Sequence, residues 1–434
     1  MRLACLMTCL AWIASAWAET MLIGVGSIPG TATDLSGLTN SFAIDQPHNL
    51  LGSFGSGLAY TGTGNLYVAV NDRGYADGTT NYIDRFQVLR IDVTPGAGPG
   101  QGTVTPTLAE TRLLVDEAGQ HFVGLASAFT HGLRLDPEGI RVSRNGTIFV
   151  SDEYGPFIYE FDRFGQRMRT LRVPSTFLIP HPSAIGTEEL PPNNTLGRQA
   201  NRGMEGLAIT PDGSTLYGIM QSPLIQDGAL NAKNQRHGIN LRILRIDLVT
   251  NATAEYLYQL ESRSNGASEI LAVNDHQFLV LERDGSGGTA AAFKKIFLID
   301  IAGASDISSS GTTSSNGLPP TGLPSSSVMP VSKTLFIDLL DPRFGLAGPH
   351  FPEKIEGLAF GPDLASGQHL LLVINDNDLV QSNPSFFYAF RFDDQALPGF
   401  QPQVFDVPFA ATVPEPRKSH AGARGASQSG AVQP

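Results

Sequence analysis

One phrase recurs along the chain and limits what it can fold into. It is a small or acidic residue, a glycine, an aliphatic residue, alternating apolar residues, a turn and a second strand. It reads SGLAYTGTGNLYVAVNDRG over 56–74, PEGIRVSRNGTIFVSDEYG over 137–155 and MEGLAITPDGSTLYGIMQS over 204–222. A worn copy, SEILAVNDHQFLVLERDG, covers 268–285, and IEGLAFGPDLASGQHLLLVINDND covers 355–378. Each copy is a hairpin, because period-two alternation on both sides of a Gly/Asp/Asn-rich turn is the pattern of paired antiparallel strands. A third strand follows each (FQVLRIDV, FIYEFDRFG, LRILRIDLV, KKIFLIDI, FFYAFRFDD) and a fourth often follows that. Four antiparallel strands per repeat make a propeller blade. The expected fold is therefore all-β: a β-propeller with five clear repeats and five or six blades. Residues 21–50 either add an outer strand that closes the ring or belong to a degenerate sixth blade.

The repeat starts lie 64 to 87 residues apart, longer than a minimal blade, so loops are inserted. Gly and Pro together number 76 and only 16% of residues are charged, which suits short strands and tight turns. Before the repeats, Arg2, the apolar run Leu3 to Ile13 and Ala16-Trp17-Ala18 read as a signal peptide over 1–18. The expectation is an exported protein, periplasmic or extracellular. Both cysteines and both tryptophans fall in this segment, so the mature chain would have no disulfide, thiol nucleophile or thiolate metal site. No later stretch reaches the ~18 apolar residues of a membrane span. Removing Arg2 takes the formal charge from −12 to −13. Such a surface repels nucleic acid and anionic membranes but holds cations. A single propeller domain over 19–412 is expected, with a mobile low-complexity loop at 303–327 and a disordered tail at 413–434.

In a propeller the first strand of each blade lines the central channel and the second returns to the face where the first began. Residues just before the first strand and just after the second therefore meet at one mouth. Strand starts carry Glu138, Glu205, Glu269 and Glu356, with Ser56 in the first copy. Second-strand ends carry Asp72-Arg73, Asp152-Glu153, Gln221, Glu282-Arg283 and Asp376. About eight carboxylates at one mouth would repel one another unless cations or protons neutralise them. Hard oxygen donors without thiolates favour Ca²⁺ over Zn²⁺. The candidate metal ligands are Asp72, Glu138, Asp152, Glu205, Glu269, Glu282, Glu356 and Asp376. Arg73, Arg202 and Arg283 are candidates to bind an anionic substrate, with Lys354 nearby. Asp152 and Glu153 are candidate catalytic carboxylates, and His131, just before the second copy, a candidate general acid. The glycine after each Glu is expected to let the chain turn tightly into the channel.

At these residues the chain resembles a known family. The run LDPEGIRVSRNGTIFVSDEYGPFIYEFDRFGQ, with SGLAY…LYVAVNDRG and the later MEGLAI and IEGLAF copies, is similar to the phytase-like domain family over roughly 50–400. That family is described as having an esterase-like activity of phytase and is placed among the β-propellers. The resemblance implies a phosphoester hydrolase in which calcium binds a substrate phosphate and activates water. It carries Glu138, Glu205 and Glu356 onto the family's recurrent Glu-Gly positions, and Asp72-Arg73 and Asp152-Glu153 onto its strand-end polar positions. The chain departs at Glu269, which Ile270 follows instead of Gly, and at Gln221, which stands where a carboxylate is expected.

Other signatures fail. No G-x-S-x-G elbow and no H-E-x-x-H occurs. Arg236-His237-Gly238 matches only the opening of the histidine acid phosphatase motif; Asn240 and Arg242 stand where that motif needs an Arg and a Pro, so the triplet is set aside. Three functions follow as alternatives. The first is a calcium-dependent hydrolase of a small anionic phosphoester, expected to be a monomer. The second is a non-catalytic ligand- or partner-binding propeller with structural calcium. The third is a carboxylester or lactone hydrolase on the same scaffold.

Overall fold

The computed structural model describes residues 20–409 except 44, 97, 99 and 309–316. The expected signal peptide and the tail lie outside the described residues. The chain begins with β1 (Met21–Ile28) and a short pair, β2 (Ser41–Ala43) and β3 (Gln46–Pro47). The first repeat forms β4 (Gly57–Tyr60), β5 (Leu66–Val70), β6 (Arg85–Thr94) and β7 (Thr103–Leu113). The second forms β8 (Pro137–Val142), β9 (Ile148–Asp152), β10 (Ile158–Phe161) and β11 (Arg167–Leu171). The third forms β12 (Met204–Ile209), β13 (Thr215–Met220), β14 (Asn240–Asp247) and β15 (Thr253–Gln259). The fourth forms β16 (Gly266–Ala272), β17 (Gln277–Arg283), β18 (Lys294–Asp300) and β19 (Ser332–Asp338). The last supplies β20 (Ile355–Phe360), β21 (His369–Asn375) and β22 (Ser385–Phe392), and β1 completes it as the fourth, antiparallel strand on β22. Residues 21–28 are thus the closing outer strand. One parallel pairing, Val25 to Thr103, links β1 to β7.

The inner strands β4, β8, β12, β16 and β20 pack side by side in that order, and β20 returns to β4. The fold is a β-propeller. Inner strands are buried on both faces, which is why GLAY, MEGLAI and IEGLAF read as nearly continuous small and apolar runs. The core lies between sheets: Val68 and Ile140 share one cluster between the first two, and Tyr217 packs on Phe278 between the third and fourth with ring centroids 4.6 Å apart. Each such side chain contributes about 2 kcal/mol by burial. Glycine does not turn the chain at the Glu-Gly positions as expected; it lets inner strands touch. A Cβ on Gly139 would stand 2.7 Å from both the Glu205 carbonyl oxygen and the Leu207 nitrogen of the next inner strand.

The flanks of the low-complexity loop are packed, not free. Ile307 and Leu318 are buried with Leu257, and the Ile307 N–H donates to the Glu255 carbonyl at 2.8 Å. After β22, residues 399–409 run under the C-terminal ends of the inner strands as a strap. Phe400 packs on Phe360 with ring centroids 4.6 Å apart. The Gln401 N–H bonds Val273 O (2.9 Å) and the Val404 N–H bonds Pro211 O (2.8 Å). The Asp406 N–H bonds Arg144 O (2.9 Å), and the Phe409 N–H bonds Thr63 Oγ1 (2.9 Å). The strap touches every sheet and covers that end of the channel, leaving a cavity of about 170 Å³ floored by Arg141. No helix among the described residues is long and apolar enough to cross a membrane.

Candidate active site

At the opposite end, inner-strand starts and second-strand ends converge on an opening of about 190 Å³. Glu138, Glu205 and Glu356 reach it from β8, β12 and β20. Each sits where the ladder slips, between Pro137 and Ile140, Met204 and Leu207, and Ile355 and Gly357. A bulge of this kind re-aims a side chain that strict alternation would send elsewhere. The fourth copy corrects the sequence alignment by one residue. There the slip falls between Ala267 and Glu269, so Ser268 occupies the Glu position and Glu269 the glycine position. Ser268 lines the mouth; Glu269 does not.

Glu269 is fully buried inside the channel and pairs with Arg141 of β8 at 3.0 Å. Arg141 also donates to the carbonyls of Leu58 and Ile270. Burial outweighs Arg141 and lifts Glu269 to about 7. Glu282 also leaves the predicted ring. Its carboxylate is buried and accepts from Tyr258 (2.9 Å), Asn265 (2.7 Å), the Glu261 N–H (2.8 Å) and Lys333 (2.7 Å). The next residue, Arg283, faces the mouth instead, because neighbours on a strand alternate sides. Asp152 and Glu153 divide in the same way. Asp152 caps a turn by accepting the N–H groups of Asp136 (3.1 Å), Tyr154 (3.0 Å) and Gly155 (3.0 Å), whereas Glu153 lines the mouth. His131 is exposed at the end of a short 3₁₀ helix and lines none of the opening.

The mouth is more balanced than the expected acidic ring. Asp72, Glu138, Glu153, Glu205 and Glu356 line it, but so do Arg73, Arg202, Arg236, Arg283 and Lys354. Three of these cations are already engaged. Arg73 binds Asp136 at 2.7 Å and lies 3.8 Å from Glu153. Arg283 bonds Glu356 and, through Nε, Ser268 at 3.1 Å. Lys354 sits among Asp378, Asp376 (3.5 Å) and Asp72 (4.0 Å). That trio of carboxylates is close enough to hold a metal, but it encloses a lysine ammonium. Burial pushes Asp72 up to about 6, with Lys354 opposing.

The remaining acids form a second group. Carboxylate oxygens of Asp136, Glu138 and Glu153 all lie within 4.8 Å of one another. Glu153 also lies close enough to Asp136 and Glu205 for its charge to act on both. Glu205 in turn accepts from the Gln221 amide, which explains why a carboxylate is not needed there. Glu138 has no hydrogen-bond or ion-pair partner among the described residues. Burial, then the neighbouring acids, raises Glu138 and Glu205 well above the usual carboxylate range. Burial brings Asp136 to about 7 against the pull of Arg73.

Across the opening lie Arg202 and Arg236. Neither forms an ion pair among the described residues. Arg202 donates to Gln199 Oε1 at 3.3 Å. Arg236 donates to the carbonyls of Ser264 (2.9 Å) and Asn265 (2.6 Å) and to Ser222 Oγ (3.2 Å). Sequence reasoning missed Asp136 and Arg236. Asp136 stands immediately before the second repeat, one place outside the window read as the strand start. Arg236 comes from the loop between β13 and β14, which has no repeat counterpart.

The Phytase-like family, described as esterase-like activity of phytase, matches residues 49–379. An uncharacterized secreted protein of Arthroderma benhamiae is 26% identical over 458 residues, taking in 83% of this chain and 86% of that protein. Among solved structures, a gluconolactonase from Xanthomonas campestris is 12% identical, covering 87% of this chain and 99% of its own, with a TM-score of 0.30. Regucalcin from Agrobacterium tumefaciens, a calcium-binding protein, is 10% identical over 88% and 99% of the two chains, with a TM-score of 0.33. Superpositions this loose say nothing of activity.

Proposed function

The chain belongs to the phytase-like family, and from that membership, with the segregated charges of its mouth, we propose that it is an exported hydrolase of anionic esters, phosphate esters foremost. The observation that carries the reading is one opening with a cluster of acids on one side, in which Glu138 has no partner among the described residues, and on the other two guanidiniums, Arg202 and Arg236, that form no ion pair among them. The secreted relative and the N-terminal leader pattern support export.

The acidic side fits a divalent cation. Its donors are all carboxylate oxygens, three of them mutually within 4.8 Å; Arg73 pairs with Asp136 and Glu153 from one side, and Glu138 has no basic partner among the described residues. Asp136, Glu138 and Glu153 would hold the ion, and hard donors of this kind select calcium. When bound, calcium would supply electrophilic stabilisation of the charge that develops on the ester. The chain's own groups do the rest. Arg202, Arg236 and Arg283 hold the anionic group and fix its orientation. Glu153, placed between Asp136 and Glu205, takes the proton of an attacking water, and Glu205, raised by burial, can return one to the leaving group. No covalent nucleophile is required. Asp152 and His131 act at most through structure, since neither lines the opening.

The test is a hydrolysis screen over phosphate esters, carboxyl esters and lactones, with calcium and with chelator. Calcium-dependent release of phosphate is expected. Turnover that survives thorough chelation unchanged removes the metal from the reading, and hydrolysis of lactones alone selects the carboxylester alternative. A second reading draws on the three engaged cations, Arg73, Arg283 and Lys354, which leave part of the mouth already satisfied. It is a binding propeller, and tight calcium binding with no turnover on any ester would select it.

A further inference from the structure

Arg236 emerges from a loop insertion yet ends at the mouth, beside Arg202 and Arg283. Its guanidinium is held only by neutral oxygens: two carbonyls and one hydroxyl. Three bonds to the protein fix the group in place without cancelling its charge. Arg202 has one neutral acceptor, the Gln199 side chain. Of the three arginines on this wall, Arg283 alone has an ion-pair partner among the described residues, Glu356. Two positive charges therefore stand without an ion-pair partner among the described residues in a cleft of about 190 Å³, Arg236 fixed in place and Arg202 with only the more distant Glu153 charge opposing it. Like charges held together in a partly dehydrated cleft repel, and a ligand of opposite charge relieves them. Burial, then Arg202 and Arg283, lowers Arg236 to about 10, so it remains cationic at neutral pH.

We propose that Arg236, with Arg202, forms a charge-counting subsite that selects doubly charged tetrahedral oxyanions over singly charged ones, without the help of a metal. The inference rests on the reading of the mouth as an anionic-ester site, but it concerns binding and not turnover. A dianion neutralises both guanidiniums at once. A monoanion leaves one of these half-buried groups unmatched beside its neighbour, and each lost charge-assisted bond costs affinity by about tenfold or more. The acids across the cleft sharpen the choice, because their repulsion forces an anion to the arginine side.

Calorimetric titration of the full chain in chelator tests this, with inorganic phosphate near pH 8 as the dianion and dimethyl phosphate as the monoanion. Wild type should bind inorganic phosphate at least about tenfold more tightly. Arg236→Gln and, separately, Arg202→Gln should each erase that preference, while Arg236→Lys should keep part of it. Thermal melts of each variant establish that it is folded; the two positions are independent, so misfolding of one leaves the other to decide. Equal affinity for the two anions in wild type overturns the proposal, as does phosphate binding that disappears when metal is chelated. Selective phosphate binding by a protein that hydrolyses no ester would uphold the subsite and reject the hydrolase reading. Hydrolysis with the anion preference unchanged in Arg236→Gln would do the reverse.

Discussion

Arg141 and Glu269 show how a residue's role changes when a strand slips by one place. At the glycine position Glu269 points into the channel and meets a cation from across the ring. Removing one partner of a buried pair strands the other, at a cost of about 3 kcal/mol. Arg141→Met should lower stability by that amount in urea denaturation near pH 8, and adding Glu269→Met should restore part of it. Glu269→Gln alone should leave ester hydrolysis in place; loss of turnover in a folded Glu269→Gln protein would return this residue to the site. Glu138 behaves oppositely. It is buried among Asp136, Glu153 and Glu205 with no basic partner among the described residues. Glu138→Gln removes a group that must either keep its proton or ionise among other acids, so the metal-free protein should gain about 1 kcal/mol near pH 8, while calcium should no longer raise its melting temperature. If the metal-free protein is destabilised instead, Glu138 is satisfied by something other than an ion.

Among the elements, the inner strands and the strap carry the most risk. On Gly139 a Cβ meets the backbone of the next inner strand, which cannot move aside as a flexible side chain would. Gly139→Ala should cost about 2 kcal/mol or more, read as a lower urea midpoint; an unchanged midpoint would mean that the strands can separate there freely. Strands were legible in the sequence because alternation and Gly/Asn/Asp turns repeat in every copy; whether β1 closes the ring or begins a sixth blade was not, because its partner β22 lies more than 350 residues away. Which side a strand-end residue takes was not legible. Asp152 and Glu153, or Glu282 and Arg283, differ by one step, and a bulge resets the parity without any composition signal. Arg236 was hidden for another reason: it is delivered by an insertion, and repeats predict only what they repeat. The strap misleads a reading of the sequence: its QVFDVP run (403–408) has the look of a fourth strand for the last repeat, but it forms no strand, because β1 takes that place on β22, and the strap instead packs Phe400 between Phe360, Phe392 and His369. Phe400→Ala should lower stability by about 2 kcal/mol.

For the whole molecule, the buried acids set the response to pH. Burial is the main cause that lifts Asp72 to about 6 and Asp136 and Asp152 to about 7, above the ordinary value of 3.8. A folded state with raised carboxyl values keeps protons that the unfolded chain releases. Its stability therefore falls as pH rises from about 4 to about 7 and levels off beyond. Chelated protein should melt at a higher temperature at pH 5 than at pH 7.5, and calcium should narrow the gap at pH 7.5 by replacing the protons. A melting temperature that rises with pH in chelator would contradict this. The closure of the ring has a consequence of a different kind. β1 pairs with β22, so residue 21 meets residue 391. The last sheet cannot form until nearly all of the chain has been synthesised, and a contact this distant in sequence is slow to make. During synthesis the nascent polypeptide carries an unpaired leading strand and an open arc, a state that stays threadable until its last strands arrive.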